Sequence, residues 1–212
     1  MNLRMAAAAL AAALALACGG AYGQPDPNKV LRVGFIQPET GFDPQAISDL
    51  YSNYINRVMF EPLYRYDYVS RPYRIVPNTA AAMPEISKDG LTWTIKVKPG
   101  TYFADDPAFK GKKRELTAAD YVYSWKRTFD PKMRSPHLDF LDGKLVGMDK
   151  LLEAAKGPGK LDYDAPLEGL VAVDRYTLRI RFRYPSYDTL ADLTGSPTAA
   201  VAREVIEAYG DA

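Results

Sequence analysis

The sequence has one cysteine and one histidine among its 212 residues, and this scarcity argues against several kinds of site. An intramolecular disulfide needs two cysteines, a structural zinc site needs four Cys or His ligands, and Cys–His pairs and Ser–His–Asp triads need a histidine beside their nucleophile. A nickel or haem site normally needs several ligands as well. One cysteine, Cys18, and one histidine, His137, are too few to support any of these sites well. We therefore expect no bound metal, no cofactor and no catalytic residue.

The chain also lacks an excess of charge of either sign, because 27 Lys and Arg against 26 Asp and Glu give a formal net charge of +1. Without a strong field, the chain as a whole is not drawn to nucleic acid or to an anionic membrane. Its content of 47% hydrophobic and 25% charged residues is typical of a globular protein. We therefore expect a folded protein that does not bind nucleic acid.

Long hydrophobic runs are absent too, except for the Ala/Leu stretch from Ala6 to Ala17. This stretch is too short to span a bilayer, and a basic segment precedes it, which together indicate a secretory signal. Two processing sites compete. Ala15-Leu16-Ala17 before Cys18 is similar to a lipoprotein box and would make residues 1–17 the signal, whereas Ala21-Tyr22-Gly23 fits ordinary cleavage after residue 23. Cys18 is then either lipidated or discarded, and in both cases the protein is exported to the periplasm.

The spacing of apolar residues predicts the first elements of the mature chain. The run from Val30 to Ile36 is typical of a strand buried in a sheet. From Ile47 to Met59, apolar residues recur at steps of three and four, which predicts an amphipathic helix. Ser48 or Asp43 would cap the start of this helix.

A stretch rich in tyrosine and arginine follows, between residues 64 and 74. Aromatic rings next to arginines suit the stacking of sugars or bases. Alternation, however, places Tyr64, Tyr66 and Tyr68 on one face of a strand and Arg65 on the other, which is typical of a half-buried sheet. We therefore predict a strand here rather than a stacking site.

Turn and capping residues predict the elements further along the chain. Asp89-Gly90 suits a tight turn between strands at 85–87 and 91–97, with Trp93, Ile95 and Val97 on one face. Thr117 and Asp120 form a capping box with Asp in place of Glu, and the helix that they begin stops before Pro131. Similar patterns predict a helix over 148–155, strands over 170–173 and 177–182, a short helix between Pro185 and Pro197, and a helix from Ala202 to Tyr209.

Five blocks of sequence follow one another in a definite order. They are Phe60-Glu61-Pro62-Leu63, Pro77-Asn78-Thr79-Ala80, Asp89-Gly90-Leu91-Thr92-Trp93-Thr94-Ile95-Lys96-Val97, Leu116-Thr117-Ala118-Ala119-Asp120-Tyr121-Val122-Tyr123-Ser124-Trp125-Lys126-Arg127 and Val173-Asp174-Arg175-Tyr176-Thr177-Leu178. Each block alone is weak, but their order and spacing resemble those of the bacterial extracellular solute-binding proteins of family 5, which bind peptides and nickel. The segments around Asp130-Pro131 and Ser135-Pro136 resemble the oligopeptide-binding branch. The loop 105–115 departs from the family, being longer and more basic, and we interpret it as a solvated insertion.

The resemblance implies an α/β (mixed α+β) chain with the class II fold of periplasmic binding proteins. In that fold two lobes joined by a hinge enclose the solute. Residues 28–60 would begin the first lobe, residues 61–197 would form an extra domain inserted in it, and residues 198–212 would re-enter the lobe. With its second lobe missing, the chain would be an N-terminal fragment.

The resemblance also implies a function and a site. The chain would belong to the extracytoplasmic substrate-binding component of an ABC importer, a monomer that binds oligopeptides or similar solutes and delivers them to membrane permease subunits. Carried over by position, the ligand-binding residues would be Ser48 and Leu50 together with His137. A membrane contact would come only through a lipid on Cys18.

Plainer interpretations stand beside these. Ser48 suits a helix cap, Leu50 a helix core and His137 an exposed loop. The main alternative function is an exported hydrolase, which would need paired carboxylates, and the candidates for these are Asp105, Asp106, Asp120 and Asp139. A third possibility is a truncated lobe that binds nothing. Asp120 as a helix-start residue and Asp105-Asp106 as a polar turn argue against the hydrolase.

Overall fold

The computed structural model describes residues 26–141, 143–155 and 161–210. Contacts within the chain divide it after Ile36 into two compact units. The predicted signal and Cys18 lie outside the described residues, and so does the segment 156–160, where Gly157-Pro158-Gly159 is expected to end a helix. No helix of the described residues is both long and apolar enough to cross a membrane.

The described part of the first unit, residues 26–36, forms no strand, so the prediction of a buried strand over Val30–Ile36 is wrong. Val30 is 72% exposed, Leu31 85% and Ile36 90%. An apolar run becomes a strand only where a neighbouring strand satisfies its backbone N–H and C=O groups. Both sheets of the described residues are built from other segments.

The second unit combines antiparallel sheets with helices, as the mixed α/β prediction expects. Its strands and α-helices, in chain order, are α1 (Leu50–Met59), β1 (Tyr64–Tyr66), β2 (Ile75–Pro77), β3 (Glu85–Ile86), β4 (Thr92–Lys96), α2 (Ala118–Thr128), α3 (Met148–Ala155), β5 (Leu170–Asp174), β6 (Thr177–Arg181), α4 (Thr189–Asp192) and α5 (Arg203–Tyr209). Short 3-10 helices span Pro107–Phe109, Leu138–Phe140 and Ser196–Thr198. Strands β1 and β2 form one sheet, and the other has the order β3-β4-β6-β5.

The four-stranded sheet carries the core, and its central pair is β4 with β6. Alternation along β4 buries Trp93 and Ile95, and alternation along β6 buries Leu178 and Ile180, while Arg179 between them points to solvent. The predicted hairpin is confirmed, because β3 and β4 pair antiparallel on either side of Asp89-Gly90. Gly90 has a φ of 73°, a conformation that glycine adopts without strain.

Helix α2 covers this sheet and contacts both β5 and β6. Its apolar residues Tyr121, Trp125 and Phe129 are buried in the same cluster as the inward residues of the sheet. The predicted capping box is confirmed, since the Thr117 backbone N–H donates to the Asp120 carboxylate at 2.7 Å. Asp120 is therefore the helix-start residue that the sequence predicts.

Helix α1 differs from its prediction at its cap and at its buried face. Asp49 caps it, accepting a hydrogen bond from the Ser52 N–H at 2.8 Å, so the assignment of the cap to Ser48 or Asp43 is wrong. The buried residues of α1 are Ser52 and Asn56. Four of its large apolar side chains are exposed, although the apolar spacing predicts that they belong to the core: Leu50, Tyr54, Val58 and Met59.

The tyrosine-rich stretch forms a strand, but only Tyr64 lies inside the protein. Tyr64 is fully buried, whereas Tyr66 is 47% exposed and Tyr68, beyond the end of β1, is 89% exposed. The prediction of a half-buried face is therefore wrong for Tyr66 and Tyr68. The reason is the length of the sheet: β1 and β2 pair over three residues each, and the chain beyond them projects as a loop.

Candidate functional site

The segment that precedes α1 lies against the loop that follows α2. The Ser135 hydroxyl donates to the Gln45 carbonyl oxygen at 2.5 Å. His137 Nε2 lies 2.6 Å from the Ile47 carbonyl oxygen. Two segments 90 residues apart in the sequence are thereby joined at two adjacent points.

These contacts show where the predicted ligand-binding residues lie. His137 is bonded to the residue directly before Ser48, and Ser48 and Leu50 are both exposed. The structure therefore brings all three predicted residues to one region of the surface. Because a carbonyl oxygen only accepts hydrogen bonds, His137 Nε2 must carry a proton, and Nδ1 is the ring nitrogen that remains for another group.

A buried ion pair between Arg127 and Asp43 fixes the segment that precedes α1. Arg127, on the last turn of α2, is fully buried and bonds to the Asp43 carboxylate at 2.5 Å. Arg127 also donates to Gln45 Oε1 at 2.8 Å, and the Gln45 side-chain amide donates to the carbonyls of Pro197 and Ala199. A buried pair of this kind costs about 3–5 kcal/mol when one partner is removed, because the other charge is left without compensation.

Two further bonds attach the segment 198–201 to α2. The Trp125 indole N–H donates to the Thr198 carbonyl at 2.9 Å, and the Val201 N–H donates to the Ser124 hydroxyl at 2.8 Å. Helix α2 thus anchors the segments 43–45 and 198–201, and the segment 135–137 is attached in turn to Gln45 and Ile47. Together they form a rigid base beneath the exposed residues Ser48 and Leu50.

Sequence reasoning missed Arg127, Gln45 and Ser135 as the residues that build this base. Tyr123 to Arg127 is recognisable as a family block, but nothing in it shows that Arg127 is buried. Its partner Asp43 lies 84 residues away, and a charged residue on a helix is exposed by default. The pairing arises only when the chain folds.

The carboxylates of the hydrolase alternative have separate structural partners. Asp105 pairs with Lys113 in solvent, and Asp106 caps the short helix Pro107–Phe109. Asp120 binds Arg114 at 2.6 Å in addition to the helix start. Asp139 is exposed. Asp105, Asp106 and Asp120 thus each have a partner that a structural role accounts for.

The loop 105–115 presents its lysines to solvent, as a solvated insertion would. Lys110, Lys112 and Lys113 are exposed, and only Phe109 packs inward. Arg114 belongs to the body of the protein instead, because it bridges Asp120 and Glu204. Its guanidinium lowers the pKa of the Glu204 carboxyl.

A cleft of about 910 Å³ lies at another face of α2, lined in part by Tyr123, Lys126 and Arg203. Two of its cations have partners within the protein: Lys126 Nζ donates to the Tyr163 and Ala165 carbonyls, and Arg203 pairs with Asp164. Burial lowers the pKa of Lys126. The described residues contain no group of three or more His, Cys, Asp or Glu side chains that could hold a metal ion.

Comparison with known families gives one match that covers more than half of the chain. The description of that family is "Bacterial extracellular solute-binding proteins, family 5 Middle", and the match spans residues 74–211. The match includes all four strands of the large sheet and helix α2.

Curated relatives carry consistent names. The periplasmic oligopeptide-binding protein OppA of Escherichia coli K12 is 29% identical over 170 residues, which are 80% of this chain and 28% of the relative. The dipeptide-binding protein of Lactococcus lactis subsp. cremoris is 30% identical over 157 residues, which are 73% of this chain and 25% of the relative. The chain thus spans little more than a quarter of the length of these relatives.

Solved structures show the same fold. Haemophilus influenzae OppA in complex with the peptide RPPGFSPFR superimposes with a TM-score of 0.64 at 23% identity, covering 80% of this chain and 30% of that one. Burkholderia pseudomallei OppA superimposes with a TM-score of 0.61 at 26% identity, covering 81% of this chain and 30% of that one. The described residues therefore have the fold of part of a periplasmic peptide-binding protein.

Proposed function

The chain belongs to the bacterial extracellular solute-binding proteins of family 5, and from this premise we propose that it is part of the substrate-binding component of an ABC importer for oligopeptides or similar solutes. The names of its relatives, which include oligopeptide- and dipeptide-binding proteins, support this choice of solute. Such a component acts by binding and release and needs no covalent step. We propose accordingly that the protein is not an enzyme.

The proposed division of the chain follows the family. Residues 1–23 or 1–17 are the export signal, residues 28–60 begin the first lobe, residues 61–197 are the inserted domain and residues 198–212 return to the lobe. The protein is a periplasmic monomer whose macromolecular partners are the permease subunits of the transporter. Cys18 is the attachment point for a lipid if the chain is processed there.

The observation that carries the proposed site is the bond between His137 and the Ile47 carbonyl at 2.6 Å. This bond puts an imidazole beside the exposed residues Ser48 and Leu50. An extended peptide is recognised by hydrogen bonds to its backbone and by room for its side chains. The exposed polar residue Ser48 and the imidazole of His137 supply hydrogen-bonding groups, and the exposed Leu50 supplies an apolar contact for a side chain.

Binding in this family of folds is coupled to closure. The solute bridges two lobes, and the closed form is the one that a permease recognises. The base built by Arg127, Asp43 and Gln45 contributes rigidity on this side, because a surface that shifts on binding would consume part of the binding free energy. The region around Ser48 and His137 is then one wall of the site.

A thermal-shift titration tests this function. Peptide mixtures added to the protein are expected to raise the melting temperature, since a ligand present at 100 times its Kd stabilises the native state by about 2.7 kcal/mol. His137→Ala is expected to reduce the shift, whereas Ser87→Ala, a substitution in the β3–β4 turn, is expected to leave it unchanged.

Sugars and metal complexes serve as comparison ligands in the same titration. A shift with these and none with peptides would contradict the proposed solute. Hydrolysis of a peptide during the titration would contradict the proposal that the protein is not an enzyme.

A further inference from the structure

The loop between β1 and β2, together with the residues that flank it, forms an exposed aromatic and basic tip, which we call the hairpin tip (residues 65–74). Tyr68 is 89% exposed, Val69 79% and Tyr73 72%. Soluble proteins place single apolar residues on their surface without consequence, but three such side chains on one short loop are unusual. The site around His137 makes no use of them.

The hairpin tip is ordered by its own hydrogen bonds. The Asp67 N–H donates to the Arg74 carbonyl at 2.7 Å, and the Asp67 carboxylate accepts from the Val69 N–H and from the Ser70 hydroxyl. Arg71 donates to the Tyr68 carbonyl at 3.1 Å. These bonds hold the loop in a shape that presents Tyr68 and Val69 to solvent.

An aromatic pair supports the stem of the loop. The rings of Tyr66 and Tyr73 meet edge to face, with their centroids 5.6 Å apart. Edge-to-face pairs of this kind add stability beyond the area that they bury. Tyr68 lies beyond this pair and is the outermost aromatic residue of the hairpin tip.

Charge distinguishes the hairpin tip from the chain as a whole. Its ionisable side chains are Arg65, Arg71 and Arg74 against Asp67, a local net charge of +2 in a chain whose formal charge is +1. All three arginines are exposed. The tip therefore combines a local positive field with aromatic and aliphatic side chains that face water.

Exposed aromatic and aliphatic side chains beside basic residues are suited to binding at the interface between a lipid bilayer and water. Tyrosine is enriched at membrane–water interfaces, where its ring lies among the headgroups, and arginine is attracted to anionic lipids. A protein partner fits less well, because a stable protein interface needs about 800 Å² on each side, more than one short loop supplies. A few inserted side chains with basic residues around them are enough for reversible binding to a bilayer.

We propose that the hairpin tip is a membrane-contact site, which places Tyr68 and Val69 among the headgroups of a bilayer that contains anionic phospholipids. The inference rests on the proposed function, because only a protein working beside the cytoplasmic membrane would meet such a bilayer in this way. It adds a second route to the membrane besides a lipid on Cys18. It also locates that route at the edge of the small sheet where β1 ends and β2 begins.

Vesicle co-sedimentation tests the proposal. The exported protein is purified with Cys18→Ser in every variant, so that no acyl chain contributes to binding. It is expected to bind vesicles of phosphatidylcholine and phosphatidylglycerol, to bind phosphatidylcholine alone much less, and to be released by salt. Tyr68→Ser with Val69→Ser is expected to weaken binding by about tenfold through the loss of apolar contact.

Arg65→Gln and Arg74→Gln are each expected to weaken binding to the anionic vesicles by about fivefold. Control variants lose exposed side chains elsewhere: Tyr187→Ser removes a tyrosine that is 96% exposed, and Lys112→Gln with Lys132→Gln removes two exposed cations, one more than each arginine variant of the tip. The controls are expected to bind as the parent does. Equal losses in the tip and control variants, or no binding to anionic vesicles, would overturn the proposal.

Peptide titration of the same variants separates this proposal from the proposed function. The tip variants are expected to keep the full peptide-induced thermal shift, which also shows that they are folded. A protein that binds peptide but no vesicles contradicts the membrane contact alone. A protein that binds vesicles through the tip but no peptide contradicts the proposed function alone. Tip-dependent capture by purified permease subunits without vesicle binding would also overturn the membrane proposal.

Discussion

An aspartate stabilises the start of both helices, Asp120 within the first turn of α2 and Asp49 at the N-cap of α1, but the two helices differ in what lies against their apolar side. In α2 the apolar residues Tyr121 and Trp125 face the four-stranded sheet and are buried. In α1 the buried residues are Ser52 and Asn56, and four of its large apolar side chains are exposed: Leu50, Tyr54, Val58 and Met59. Only α2 has a sheet to cover.

The contacts of α1 are correspondingly polar. The Ser52 hydroxyl accepts from the Thr40 N–H at 2.9 Å, and the side chains of Asn53 and Ser196 lie 3.2 Å apart. An apolar stripe is buried only where a neighbouring element offers an apolar surface. The difference between the two helices shows that amphipathic spacing predicts a helix without predicting the face that it buries.

The largest expected difference between the helices concerns their apolar residues. Trp125→Ala in α2 is expected to lower the free energy of unfolding by about 3–5 kcal/mol, since it opens a cavity in the core and removes the bond to the Thr198 carbonyl. Val58→Ala in α1, where the side chain is 87% exposed, is expected to change it by less than about 0.5 kcal/mol. Urea denaturation measures both, and a comparable loss for Val58→Ala would show that the apolar face of α1 is covered.

A smaller difference is expected at the two caps. Asp120→Ala is expected to cost about 1.5–3 kcal/mol, because the carboxylate is buried and bonded to both Arg114 and the start of α2. Asp49→Ala is expected to cost less, because water replaces the lost bonds at a cap that is open to solvent. Thermal denaturation of the two variants gives the comparison, and an equal loss would contradict it.

The smallest effect is expected from acid. The Ser52 hydroxyl and N–H lower the pKa of Asp49 to about 2, from an ordinary value of 3.8. Since the folded pKa lies below the unfolded one, the stabilising contribution of Asp49 is complete above pH 3.8 and is lost as the pH falls towards 2. Protection of the amides in the first turn of α1, measured against their intrinsic exchange rates, is expected to fall over this range. Asp49→Asn is expected to remove this dependence, and a dependence that persists in the variant would assign it to another group.

How far the sequence predicts this structure depends on how local the cause of each feature is. The hairpin at Gly90, the capping box of Thr117 and Asp120, and helix α3 over Met148–Ala155 depend on neighbouring residues, and the structure confirms all three. The strand over Val30–Ile36 needs a pairing partner that no local pattern reveals, and the structure does not form it. The exposure of Tyr66 and Tyr68 likewise depends on where the small sheet ends.

The residues of the candidate site also differ in how far the sequence predicts them. Ser48, Leu50 and His137 were reachable through family resemblance, and their role as ligand contacts stays a prediction. The base formed by Arg127, Asp43 and Gln45 could not be predicted from the sequence, because no pattern of neighbouring residues indicates that Arg127 pairs with Asp43.

The sequence by itself determined the secondary structure at positions where turn geometry, capping and alternation act within a few residues, and its ordered motifs determined the family. Only the tertiary structure decided which helix face is buried, which arginine is paired inside and which tyrosines project from the hairpin tip. Burial and ion pairing depend on which remote segments come together, and the free energy of those contacts is shared among residues far apart in the chain.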